Sequence, residues 1–206
     1  MSKIRILIAD DHTIVRIGLK ALVESEADIE VVGEAEDGKD AVKKTLELRP
    51  DVVIMDLVMP KLDGAEATHE ICAKLPDTKV LILTTFGTSD GIAHALEAGA
   101  RGALMKTTDD ATIVTAIREV AQGRRFVSQE VRRQLALDPP TEQFSPRQSE
   151  IMRSITKGLS NKEIAYNLGI RIDSVEEHVK VILKKLGAAN RAEAVAIALR
   201  KQLLKI

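Results

Sequence analysis

The 206-residue chain has no tryptophan, one tyrosine and three phenylalanines. With aromatics at 2% of residues, its cores must be built from Leu, Ile, Val and Ala, and stacking of successive nucleobases on aromatic side chains is excluded as a binding mode. Cysteine is equally scarce. Cys72 has no partner for an internal disulfide, and its place in a helix-periodic segment makes it a packing residue. No stretch approaches the roughly 20 apolar residues of a membrane span, and no charged-then-apolar leader with a cleavage site opens the chain. The expected location is therefore the cytoplasm, with no membrane partner. A G-x-x-x-x-G-K-[ST] loop is also missing, which leaves nucleotide hydrolysis without support.

The chain is longer than the commonest domain size of about 100–150 residues, so two domains are expected. Charge divides it in the same way. Residues 1–122 hold 14 Lys and Arg against 22 Asp and Glu, a balance of -8, whereas 144–206 hold 12 against 6, a balance of +6. The first part repels DNA and the second attracts it.

Hydrophobic periodicity predicts strands near 4–9, 29–34, 52–55, 79–84 and 102–105, alternating with helices near 14–24, 38–47, 64–74, 89–97 and 109–122. That pattern is an α/β doubly wound, five-stranded parallel sheet of flavodoxin-like type, covered on both faces. Ligands of such sheets bind at the carboxyl ends of the strands, near the point where strand order reverses. A domain of residues 1–122 is followed by a linker, 123–143, containing a short basic helix, Ser128–Leu137, and then Asp138-Pro139-Pro140, which cannot continue it. From residue 144 onward only helical spacing remains. An all-α domain of four helices is expected, near 146–157, 161–168, 173–186 and 191–201. Ser145-Pro146 with Gln148, Ser160 with Glu163, and Asn190 with Glu193 mark helix starts, and Gly158, Gly169 and Gly187 mark stops.

The chemistry concentrates at strand ends. Asp10-Asp11 follow the strand Ile4–Ala9, Asp56 follows Val52–Met55, Thr84 closes Val80–Leu83 and Lys106 follows Gly102–Met105. Three converging carboxylates in a half-buried site raise one another's pKa, so the cluster calls for a cation. Mg2+ suits it, because that ion takes a few carboxylates together with waters and a substrate phosphate. Asp56 then serves as a nucleophile for a phosphoryl group, with the Lys106 ammonium offsetting the incoming charge and the Thr84 hydroxyl bonding a phosphoryl oxygen.

With Asp10-Asp11, Asp56 in IMDLVMPKLDG, Thr84 and Lys106 in this order and spacing, residues 1 to about 122 resemble the receiver domain of a bacterial two-component response regulator. The resemblance implies that Asp56 accepts a phosphoryl group from a sensor histidine kinase or a small phosphodonor. It further implies that Asp11, Asp56 and the Val58 carbonyl bind Mg2+ directly, with Asp10 acting through water. The run GLSNKEIAYNLGI followed by VEEHVKVILKKLG resembles the helix-turn-helix domain of LuxR-type regulators, and the combination is that of the NarL/FixJ family. What this implies is a phosphorylation-controlled transcription regulator that binds double-stranded DNA as a homodimer. It is no enzyme beyond assisting its own aspartyl phosphorylation and dephosphorylation. The helix from Asp173 becomes the recognition helix, with Lys162, Arg171, Ser174, Val175, Glu176, Glu177, His178, Lys180 and Lys184 as candidate DNA residues, while Arg191, Val195 and Leu199 carry the dimer contact.

The chain departs from the family pattern in three places. Glu176 and Glu177 put carboxylates where the family usually has a basic residue and an uncharged one, facing a wall of phosphates. If Asp173 caps its helix, Glu176 occupies the capping-box position and bonds its own backbone. Ala103 stands three residues before Lys106, where the family usually carries an aromatic switch residue, so weak coupling between phosphorylation and output is expected. Val58 and Phe86 are apolar where many relatives orient water with polar groups, which predicts a slowly lost acyl phosphate. Two other functions are conceivable. An aspartyl-nucleophile phosphatase would normally carry a second acid at the place of Val58, and a regulator acting by protein contact would have lost DNA recognition through Glu176 and Glu177.

Overall fold

The computed structural model describes residues 3–85, 88–142, 144–201 and 203. It divides into two compact units, Met1–Pro139 and Pro140–Ile206. In the first, strands β1 (Ile4–Ala9), β2 (Ile29–Ala35), β3 (Val52–Met55), β4 (Lys79–Thr84), β5 (Gly102–Met105) and β6 (Phe126–Val127) alternate with helices α1 (Thr13–Glu24), α2 (Gly38–Leu48), α3 (Gly64–Lys74), α4 (Ser89–Glu97) and α5 (Asp110–Ala121), and helix α6 (Gln129–Leu137) follows β6. The second unit is helical, with α7 (Pro146–Thr156), α8 (Asn161–Leu168), α9 (Ile172–Leu186) and α10 (Arg191–Arg200).

All strand pairs are parallel, in the order β2-β1-β3-β4-β5-β6. Six strands therefore replace the five expected. The sixth is two residues long, too short for any periodicity to reveal, and exists because its backbone completes the open edge of β5. The residues expected to form a linker thus belong in part to the first unit, and the break falls at Pro139-Pro140.

Alternation along each strand sorts the core into two layers. Ile6, Ile8, Ile54, Leu81, Leu83 and Leu104 pack with Leu19 and Val23 of α1 and with Ile113 and Ile117 of α5. Leu7, Val53, Met55, Val80, Ile82 and Ala103 point the other way, onto residues of α2, α3, α4 and α6. Cys72 of α3 is half-buried, burial pushes its thiol upward, and a Cβ on Gly99 would lie 2.9 Å from its Sγ. It is a packing residue, as its surroundings require.

Helix starts follow the capping chemistry written in the chain. Asp37, Asp63, Thr88, Asp109, Ser128, Ser145, Ser160 and Asn190 each accept a backbone N–H from the third residue of the helix they open, and Ser145 with Gln148 and Ser160 with Glu163 form complete capping boxes. Asp37 does more than cap. It is buried, and it also accepts a hydrogen bond from the Lys61 ammonium at 2.5 Å. That bond, followed by the backbone bond from Asp40, holds its carboxyl below the usual range. A depressed folded value stabilises the protein above the unfolded pKa of about 3.9, and the contribution disappears as pH falls through the folded value. Because Lys61 is largely exposed, solvent screening limits the expected loss in Asp37→Asn to about 1 kcal/mol at neutral pH. Urea unfolding midpoints of the two proteins should converge only as the pH falls below the ordinary carboxylate range.

Candidate functional site

Strand order reverses between β1 and β3, which leave from each other in opposite directions across the sheet. The carboxyl ends of these two strands are held in register by Ala9 pairing with Met55, and the Asp56 N–H donates to the Ala9 carbonyl at 2.9 Å. Asp10 and Asp56 thus emerge side by side at the crevice that such sheets use for ligands. Both are buried, at 2% and 5% exposure. Asp10, Asp11, His12 and Asp56 each place a ligand atom within 4.8 Å of the others.

Lys106 leaves β5 beside Thr84 of β4, its N–H donating to the Thr84 carbonyl at 2.9 Å. Its ammonium lies 2.5 Å from Asp10 Oδ2 and 2.7 Å from Asp56 Oδ2. Burial works against the charge on Lys106, but hydrogen bonds to Asp10 and Asp56 outweigh it and raise its pKa above the ordinary value. The other oxygen of Asp56 accepts from the Leu57 N–H at 2.7 Å. Thr84 is 1% exposed, and its hydroxyl has no hydrogen-bond partner among the described residues. A buried hydroxyl without a partner costs about 1–3 kcal/mol, a cost that a phosphoryl oxygen would remove. Val58, by contrast, is half exposed on the loop after Asp56. Phe86 lies outside the described residues.

The donor set fits Mg2+: three carboxylates in one cluster, offering hard oxygen ligands, with an orphaned hydroxyl on a neighbouring strand. His12 was not singled out in the sequence, although it directly follows the acidic doublet. Its N–H donates to Asp10 Oδ1 at 2.9 Å and its Nδ1 lies 2.7 Å from Asp11 Oδ1, so it orients both acids.

Gly64 protects this geometry from below. A Cβ there would sit 2.0 Å from the Asp56 carbonyl oxygen, and its own N–H donates to the Leu57 carbonyl at 2.9 Å. Gly64→Ala must push the β3–α3 segment aside, with an expected destabilisation of about 3 kcal/mol in urea unfolding and a parallel fall in phosphoryl acceptance at Asp56.

In the second unit, Gly169 in the left-handed conformation ends α8, and Gly169-Ile170-Arg171 turns the chain into α9. Ile151, Met152, Ile164, Val175, Ile182 and Ala198 hold the helices together around one core. Val175 is fully buried there, so it supports α9 and does not reach a groove. Lys162, Arg171, Glu176, Glu177, Lys180 and Lys184 are exposed, with Ser174 and His178 partly so. The cap expected at Asp173 is not formed. Arg171 occupies the N-cap position without a side-chain bond, and Asp173 pairs instead with the Arg171 guanidinium at 2.8 Å. Glu176 therefore lies beyond the capping-box position and points outward without that role. Of the candidate dimer residues, Leu199 is exposed, Val195 packs partly against the core, and the Arg191 guanidinium bonds the Leu159 carbonyl and Asn161 Oδ1 of its own unit. Arg191 thus ties α10 to the α7–α8 turn.

Known proteins share both parts. The family described as response regulator receiver domain matches residues 6–118, and that described as bacterial regulatory proteins, luxR family, matches 142–198. The chain is 41% identical to the transcriptional regulatory protein LiaR of Bacillus subtilis, with 98% of this chain and 99% of that protein covered. It belongs to the NarL/FixJ family of two-component response regulators. The response regulator VraR of Staphylococcus aureus is 40% identical over the same shares. Among solved structures, the response regulator ChrA of a heme-sensing two-component system is 36% identical at a TM-score of 0.59, covering 99% of this chain and all of that one. RcsB of Salmonella enterica serovar Typhimurium, bound to promoter P1flhDC, is 27% identical at a TM-score of 0.70, covering 97% and 99%. The protein is accordingly a DNA-binding two-component regulator of transcription, and these likenesses do not favour the reading in which it acts through protein contact alone. Among the described residues no helix is long and apolar enough to cross a membrane.

Proposed function

We propose that Asp56 is the phosphoacceptor and that α9 carries the DNA contacts, with a sensor histidine kinase as phosphodonor and a homodimer as the DNA-bound form. The observation that carries the first part is the Lys106 ammonium set between Asp10 and Asp56, with the unpartnered Thr84 hydroxyl on the adjoining strand. An Asp56 carboxylate oxygen attacks the phosphorus of a phosphohistidine or of acetyl phosphate. A P–O bond forms to Asp56 as the bond to the donor breaks, and the donor leaves with the electron pair. Lys106 offsets the charge arriving on the phosphoryl oxygens, and Thr84 donates to one of them. Asp11, Asp56 and the Val58 carbonyl would hold Mg2+, with Asp10 acting through water, and the bound ion would supply further neutralisation of phosphoryl charge. His12 keeps the Asp10 and Asp11 carboxylates turned toward the site. Asp56 phosphorylation then shifts the receiver between states and alters DNA binding. DNA as the target puts the protein in the cytoplasm.

The exposed Val58 offers no polar group to orient an attacking water, so the acyl phosphate should persist. Its half-life, followed by phosphate-affinity electrophoresis, is expected to fall severalfold in Val58→Asn; an equal or longer half-life in the variant refutes slow hydrolysis by this cause. For the function as a whole, fluorescence anisotropy of a labelled duplex is measured against salt before and after Mg2+ with acetyl phosphate. A steep salt slope that tightens on phosphorylation is the expected result. Flat, weak binding in both states would overturn the assignment of α9.

A further inference from the structure

Ala103, at the position where an aromatic residue is expected, is covered by the segment that follows α5. Ala103 of β5 is fully buried and pairs with Val127 of β6, and the Ser128 N–H donates to the Ala103 carbonyl at 3.0 Å. Gly102 is shaped for the same approach, since a Cβ there would lie 2.6 Å from the Phe126 carbonyl oxygen. From this edge α6 folds back over the sheet. Val131, fully buried, joins Ala103 together with Ile92 and Ala95 of α4 in one apolar cluster, with Val127 and Leu135 packed around it.

Two polar ties fasten α6 to the segments that leave the phosphoryl-binding residues. The Ser89 hydroxyl, at the first residue of α4 and five residues after Thr84, donates to the Gln134 carbonyl at 3.4 Å. The hydroxyl of Thr107, next to Lys106, donates to Glu130 Oε2 at 3.4 Å. One helix thus contacts the chain just beyond each of the two residues that would grip a phosphoryl group. The same helix ends at Leu137, two residues before Pro139, where the first unit stops and the chain runs on to the DNA-binding unit.

We infer that β6–α6 is the switch that reads the phosphoryl group: when Thr84 and Lys106 close on phosphorylated Asp56, the loops beyond them shift, the Ser89 and Thr107 ties to α6 break, and α6 loosens from α4 and β5. Thr84 has a reason to move, because its hydroxyl is buried without a partner and gains one only at the phosphoryl group. Only Val131 of its nine residues is buried, the Ser89 and Thr107 ties are each 3.4 Å long, and the preceding strand is two residues long. No aromatic toggle is required, since Val127 pairs with Ala103 and Val131 shares its apolar cluster. Coupling in this chain runs through the connecting segment itself.

The inference rests on phosphorylation of Asp56, and the test separates the two. Amide hydrogen exchange across 126–137 is followed in the full chain, with and without Mg2+ and acetyl phosphate, while mass spectrometry of the same samples reports phosphorylation. Exchange at least tenfold faster in α6 once Asp56 is phosphorylated is the expected result. Phosphorylated protein with unchanged or slower exchange in α6 overturns the switch and leaves the phosphoacceptor assignment standing. Protein that takes no phosphoryl group overturns both. Val131→Asp, or Val131→Ala if the aspartate variant does not fold, should give fast exchange in 126–137 without phosphorylation while still accepting a phosphoryl group. Wild-type exchange rates in a folded variant would refute the role of Val131.

Discussion

Lys106→Met is expected to cost the protein about 3 kcal/mol of stability and nearly all of its phosphoryl acceptance. Asp10 and Asp56 are both buried, and the Lys106 ammonium is within 2.7 Å of each. Methionine keeps the stem and removes the charge, leaving two buried carboxylates facing one another, the situation in which breaking a buried ion pair costs about 3–5 kcal/mol. Solvent reaching the exposed side of Asp11 lowers that figure somewhat. Mg2+ should restore much of the loss, because these carboxylates belong to the site proposed to hold it, and the ion should therefore raise the unfolding midpoint of the variant more than that of the wild type. Acceptance from acetyl phosphate should fall roughly 100- to 1000-fold, the usual effect of removing one preorganised charge from a transferring group. Asp56→Asn makes the control. It abolishes acceptance outright while leaving Asp10 paired with Lys106, so its midpoint should stay close to or above that of the wild type. Urea unfolding with and without Mg2+, and phosphate-affinity electrophoresis, give the two readouts. A Lys106→Met protein as stable as wild type would show that the ammonium is not what compensates these acids.

Much of this site was legible because its residues stand immediately after apolar runs. Ile4–Ala9, Val52–Met55 and Lys79–Thr84 form strands at the ends the periodicity gives, and parallel pairing then brings Asp10, Asp56, Thr84 and Lys106 to one edge without further information. His12 escaped because nothing in spacing distinguishes a histidine that orients a carboxylate from one that is merely exposed. The helix starts at Ser145, Ser160 and Asn190 were equally readable, since the side chain that marks each is the one that makes the bond. The start of α9 was not. Asp173 has the right chemistry for a cap, but the turn after Gly169 is tight enough to begin the helix at Ile172, and Asp173 finds Arg171 instead. Val175 was misplaced because a position near the helix start does not by itself tell the groove side from the core side; seven residues before Ile182, it lies on the buried stripe of α9.

The region after Gly123 was the least legible. Periodicity found the helix Ser128–Leu137 within one residue, but it could not say against what that helix packs. Only backbone pairing of Phe126–Val127 with β5 decides that, and backbone groups carry no sequence signature. The consequence reaches function. Ala103 taken alone looks like a missing part, whereas in the fold it pairs with Val127 and shares an apolar cluster with Val131 of the connecting segment.

Replacing Lys180 and Lys184 together by alanine is expected to weaken duplex binding roughly 60-fold at about 0.1 M salt and to reduce the slope of log affinity against log salt by about 1.8. The two lysines lie one helical turn apart on the exposed side of α9, separated from the core residues Val175, Ile182 and Leu186. Each phosphate they neutralise releases condensed counterion, at about 0.9 per contact, so the loss is large at low salt and vanishes toward 1 M. Glu176 lies four residues before Lys180 on the same exposed side and should act with the opposite sign. With the capping role excluded by the start of α9 at Ile172, its carboxylate has no bond to its own helix start to keep it from the phosphates. Glu176→Lys should therefore tighten binding to a generic duplex about tenfold and steepen the slope by about 1, while reducing preference among sequences if the carboxylate accepts from a cytosine amine. Anisotropy titrations at several salt concentrations measure affinity and slope together, which matters because the two lysines and the glutamate must move both in a linked way. A double lysine variant that loses affinity without any change of slope would mean that α9 was damaged and its charges were not the cause. Unchanged affinity and slope in both variants would remove α9 from the interface and leave the +6 balance of residues 144–206 to be expressed through another face.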